Sequence, residues 1–200
     1  MDKQLEDIKV IRDMMERSTK FLSLSGMAGV VAGTTAIIGA AFAYFFLLRN
    51  PEDTDLNRFQ EIVILVADAL TVLTISLGFG IYLSWRKAKK RNQKFITKST
   101  LSTVYNLLLP LAVGGIFSLI CLYRGQIELI ASVTLIFYGL GLVNASKYTF
   151  EEIHYLGITE IILGIGAAIY LAHGVLFWTI GFGVCHIVYG LIMYKKYDMK

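Results

Sequence analysis

Charge is scarce in this sequence, and so are proline and cysteine. Asp, Glu, Lys and Arg make up 17% of the 200 residues, against roughly 25% in an ordinary soluble domain. With 56% hydrophobic residues and a mean hydropathy of +0.61, that shortage excludes a disordered chain and a soluble globular domain. The composition is not collagen-like either, with only two prolines. The two cysteines, Cys121 and Cys185, fall at different expected depths, so they are read as free thiols acting as small apolar residues. There is no P-loop, dinucleotide fingerprint, GxSxG elbow or HExxH pair. Glu151-Glu152-Ile153-His154 holds one Glu-x-x-His, where a di-iron bundle needs two plus further carboxylates. No enzymatic activity, cofactor or metal is expected.

What the chain has is apolar length. A transmembrane helix takes about 20 mostly apolar residues. Six stretches qualify, approximately 21–48, 62–85, 101–123, 127–146, 155–172 and 175–194. They do not alternate polar and apolar residues as barrel strands do, and lipid cannot satisfy open backbone groups, so helices are predicted. The first run is about twice the length of a signal-peptide core and follows a long zwitterionic segment, so it is read as a retained helix. The fold class is therefore all-α: a polytopic membrane protein with six transmembrane helices. Residues 1–20 are predicted to form a cytoplasmic amphipathic helix, 21–194 the membrane domain and 195–200 a basic tail. In the first segment Leu5, Ile8, Ile11, Met14 and Met15 share one helical face.

Orientation follows from Lys and Arg. With the N-terminus inside, all but Arg49, Arg58 and Arg124 of the 19 basic residues lie on inner segments. Both termini are thus predicted to be cytoplasmic, in the inner (plasma) membrane. Local signals accompany this pattern. Asn50-Pro51 reads as a cap followed by Pro at the first helical position, and Thr149 with Glu152 reads as a capping box. Gly125 and Gly174 stand where helices three and five are expected to stop. The segment from Arg86 to Lys98 has seven bases and no acid. Its Arg86, Lys87, Lys89, Lys90 and Arg91 are candidate contacts for anionic lipid. Nucleic acid is not an expected partner, because no recognition fold accompanies the charge.

Ionisable groups inside an apolar span are costly and mark candidate sites. Glu160 and His186 stand out. At 1.5 Å per residue they lie about 6 Å and 3 Å to the cytoplasmic side of the middle of helices five and six. These helices are hairpin neighbours, so the two side chains are expected at similar depth. Asn106 and Asn144 are grouped with them as further polar residues, and Pro110 is expected to bend helix three nearby. Asp68, with Thr71, is a second intramembrane acid in the outer half of helix two. Gly29, Gly33, Gly164 and Gly183 are assigned to close helix packing, with the Gly29–Gly33 ridge serving either the bundle or a homodimer.

The run from Thr134 to Thr149, TLIFYGLGLVNASKYT, resembles small bacterial integral membrane proteins of unassigned function, as does Gly181 to Tyr197. The resemblance implies a bacterial inner membrane and a six-helix core. It implies no substrate, cofactor or catalytic residue. The leading expectation is an inner-membrane protein of unknown activity whose core holds a Glu160–His186 polar site, read either as a buried hydrogen-bonded pair that fixes the packing or as the lining of a proton or ion path in a small transporter. The alternative is a non-transporting sensor or scaffold acting through the N-terminal helix and the basic loop.

Overall fold

The computed structural model describes residues 23–45 and 57–199. The predicted amphipathic helix and the Asn50-Pro51 signal lie outside the described residues. Six helical rods are long and apolar enough to cross a membrane, and no strand occurs among the described residues. They are α1 (Gly26–Ala43), α2 (Arg58–Lys90), α3 (Lys98–Tyr123), α4 (Ile130–Ala145) with a 3-10 turn at each end, α5 (Glu151–Ile169), and a composite sixth rod, Leu171–Asp198.

The helix ends are set by local chemistry. At the start of α2, Gln60 N donates to Asn57 Oδ1 at 2.9 Å and Asn57 N donates to Gln60 Oε1 at 3.0 Å. Two otherwise orphaned donors are satisfied reciprocally. Lys87, Lys89 and Lys90 occupy the last turn of α2, where they oppose the negative end of the helix dipole. These features carry α2 beyond the apolar run at both ends. Thr97 and Thr100 make a similar reciprocal pair at the start of α3. Gly125 ends α3 as expected: at φ +73° its N–H donates to Leu122 O at 3.0 Å, and Gln126 N donates to Cys121 O at 2.8 Å. This is the Schellman pattern, which glycine enters without a Cβ penalty.

Two expected end signals are corrected. The N-cap of α5 is Phe150, and no side chain caps it. Glu152 instead accepts from Lys196 Nζ at 2.7 Å and from Tyr197 Oη, so its carboxylate is turned towards the sixth rod. Gly174 does not stop helix five. Tyr170 breaks it with φ −110° and ψ 68°, and Gly174 opens the next helical piece with φ −52°.

The sixth rod is the main departure from a regular helix. It consists of a 3-10 turn (Leu171–His173), α6 (Gly174–Trp178), a π-helix (Thr179–Cys185), α7 (His186–Met193) and a second π-helical turn (Tyr194–Asp198). The rod packs on α1 along one side and on α5 along another, α5 packs on α4, and α4 on α3, while α2 packs chiefly on α1. Glycines make the tight seams. A Cβ on Gly29 would lie 3.1 Å from Gly190 Cα, and one on Gly190 would lie 2.7 Å from Val30 N. Across the α4–α5 seam, a Cβ on Gly139 would lie 2.6 Å from Gly157 O. Small residues allow this approach. The outward faces of α2 and α3 are apolar, with Leu70, Leu73, Leu77, Leu108, Ile116 and Leu119 exposed.

Candidate functional site

Glu160 sits on the inner face of α5 with 0% of its surface exposed, and His186 opens α7 at 7%. The structure brings them together, with His186 Nδ1 lying 3.4 Å from Glu160 Oε1. At that separation no hydrogen bond is formed, and neither Glu160 oxygen has a hydrogen-bond partner among the described residues. The imidazole is held at both nitrogens. Nδ1 lies 3.0 Å from Gly181 O, and Nε2 lies 2.8 Å from Tyr138 Oη. Tyr138 comes from α4, stacks on the imidazole at 5.4 Å between centroids, and packs against Phe182 at 4.9 Å.

Two arrangements of one proton fit these atoms. In the first, His186 is an imidazolium: Nδ1–H faces Gly181 O and Glu160 Oε1 together, and Nε2–H donates to Tyr138 Oη. In the second, Glu160 is a neutral acid, Nδ1–H donates to Gly181 O, and Tyr138 O–H donates to Nε2. A carboxylate beside a neutral imidazole would leave an unpaired buried charge, which costs several kcal/mol. The two patterns differ in whether the proton sits on Glu160 or on the Nε2 that faces Tyr138, and in the turn of the Tyr138 hydroxyl. An acid beside an imidazole can hold one proton in either of these two places.

The π-helix builds the room for the carboxylate. Gly181 lies on it, and a Cβ there would fall on Glu160 Oε2 and within 2.6 Å of Leu135 Cδ2. The wide turn therefore directs the bare face of Gly181 at Glu160 while presenting its carbonyl to His186. Tyr138 and Gly181 are the residues that sequence reasoning missed. Tyr138 had one available signal: it stands in the middle of an apolar run, away from the span ends where belt aromatics gather.

Asn106 and Asn144 serve a different purpose. Pro110 has no N–H, so the carbonyl four residues earlier, that of Asn106, loses its helical donor. Asn144 Nδ2 donates to Asn106 O at 3.3 Å and replaces the missing bond. The Asn106 amide itself donates to Ser102 O at 2.8 Å. Asp68 lies on the half-buried face of α2, where its Oδ2 would be 3.2 Å from a Cβ placed on Gly39 of α1. Thr71 turns outward and bonds Ala67 O in its own helix. The Gly29–Gly33 ridge is used within the chain. Gly33 meets Gly183 O and Ile187 of the sixth rod, Gly183 faces Ile37 of α1, and Gly164 is pressed on Ile136 of α4. Cys121 is buried, Cys185 partly so, and both are free thiols.

Comparison of the chain with protein-family models, with curated proteins and with solved structures finds no match.

Proposed function

We propose that this is a multi-pass protein of the inner membrane that conducts protons, or couples a proton to a small solute, through Glu160 and His186. One observation carries the reading: a wholly buried carboxyl group lies beside an imidazole and, among the described residues, has no hydrogen-bond donor of its own. A carboxyl group serving packing alone gains by having both oxygens hydrogen-bonded. One that must gain and lose a proton is better left with a single titratable neighbour. Tyr138 extends the path by one hydroxyl. The apolar outward faces of α2 and α3 support insertion in lipid, because a soluble monomer rarely exposes large contiguous apolar surface.

The orientation proposed is cytoplasmic at the end where α2 stops and α3 begins, from the crowding of Lys and Arg there. Anionic head groups are assigned to Arg86, Lys89 and Lys90, which are exposed. Lys87 and Arg91 are engaged within the chain, with Asp198 and with the Tyr197 carbonyl.

The test is proton flux into liposomes under a pH gradient, for the wild type, Glu160→Gln and His186→Ala. The reading predicts wild-type flux above that of protein-free vesicles and its loss in both variants. Wild-type flux no faster than that of empty vesicles would overturn conduction. Clear flux unchanged in Glu160→Gln would remove Glu160 from the path.

A further inference from the structure

The start of α1 raises a question that its own sequence does not answer. A helix N-terminus leaves its first N–H groups without partners, and a local Ser at the cap position usually accepts from one of them. Ser25 stands at that position and makes no side-chain cap bond. Its hydroxyl donates instead to Asp198 Oδ2 at 3.1 Å, and the same oxygen accepts from Gly26 N at 2.9 Å. The cap of α1 is therefore a carboxylate more than 170 positions away in the chain.

The other Asp198 oxygen lies 2.5 Å from Lys87 Nζ, with the two side chains only 9% and 10% exposed. Lys87 also donates to Leu24 O at 2.6 Å and sits 5.3 Å above the Phe150 ring. Ser84 Oγ of α2 accepts from Ser25 N at 3.3 Å. Around this centre, the Arg91 guanidinium donates to Tyr197 O, and the Tyr197 ring packs on Phe150 at 4.2 Å. Residues 194–198 thus join the start of α1, the end of α2 and the start of α5. Each partner of the buried ion pair needs the other, since removing one leaves an uncompensated charge.

We propose that the turn Tyr194–Asp198 is a conformational latch: Asp198 caps α1 in trans, Lys87 neutralises it, and release of the turn uncovers Lys87 beside the exposed Arg86, Lys89, Lys90 and Arg91. The closed latch withholds one cation, Lys87, from the basic face, and the open latch adds it. This inference is independent of proton conduction, and its test reads no flux.

The test is backbone hydrogen exchange of the full chain in zwitterionic nanodiscs, comparing the wild type with Asp198→Asn, Lys87→Met and the double variant. Asp198→Asn keeps an acceptor for Gly26 N and removes the charge, so it disturbs folding least. We expect exchange about tenfold faster at amides 26–28 and 194–198 in each single variant, from loss of the cap and its counter-charge. The α4–α5 seam stays unchanged, and the double variant is little faster than either single one because the two groups act as one unit. Wild-type exchange in Asp198→Asn, an equal rise in all rods, or single effects that simply add would each overturn the latch.

Discussion

Gly181→Ala places one methyl group at the tightest point of the candidate site. A Cβ at that position falls on Glu160 Oε2, 3.2 Å from Glu160 Cδ and 2.6 Å from Leu135 Cδ2. Neither neighbour has room to withdraw, since Glu160 and Leu135 are both 0% exposed. Overpacking of this kind costs about 1–3 kcal/mol. Gly80→Ala is the matched control. Among the described residues nothing lies within 4 Å of its Cβ position, so alanine there only removes the helix penalty of glycine and stabilises by roughly 0.5–1 kcal/mol. Unfolding in mixed micelles, followed by far-UV circular dichroism, should place the two variants on opposite sides of the wild type. A double-mutant cycle then identifies the partner. Glu160→Ala should cost less in the Gly181→Ala background than in the wild type, because truncating the carboxylate relieves the clash, with a coupling of about 1 kcal/mol or more. Gly181→Ala as stable as Gly80→Ala, or strict additivity with Glu160→Ala, would refute the claim that the π-helix shapes a cradle for this carboxylate.

Two further outcomes follow from the packing. Asn144→Ala should destabilise by about 0.6–1.7 kcal/mol, the range of hydrogen bonds inside membrane bundles. The loss should shrink towards zero in a Pro110→Ala background, where residue 110 regains the N–H that the Asn106 carbonyl lacks; an unchanged loss would disprove the replacement-bond account. Gly33→Leu should cost about 1–3 kcal/mol or more, since its Cβ would meet Gly183 O and Ile187 N. Gly115→Leu, where no described residue lies within 4 Å of the Cβ position, should leave the thermal midpoint in detergent near the wild-type value.

The architecture was legible because apolar length is a composition signal, and six runs of sufficient length leave few alternatives. The pairing of Glu160 with His186 was legible for a related reason. Hairpin neighbours of known rise bring residues of similar depth to one level, and the costly residue types are few. The π-helix at Thr179–Cys185 was not, since glycine-rich apolar sequence reads equally well as regular α-helix. Asn106 and Asn144 were read as site residues for their polarity, although the relevant fact was Pro110 four positions on from Asn106. The basic tail was read from Lys195, Lys196 and Lys200 alone. The acid in that tail, Asp198, is nearly buried and makes specific contacts with Ser25, Gly26 and Lys87, which a count of basic residues does not show.

The central claim is that Glu160 and His186 hold one proton between them. The most direct measurement is the nitrogen NMR spectrum of a selectively labelled His186 ring, recorded for the wild type and Glu160→Gln in the same lipid. The account predicts that Glu160→Gln changes the ring's protonation pattern, visible as a shift of the Nδ1 and Nε2 resonances beyond that of a mere change in packing. Superimposable resonances across the accessible pH range would contradict it.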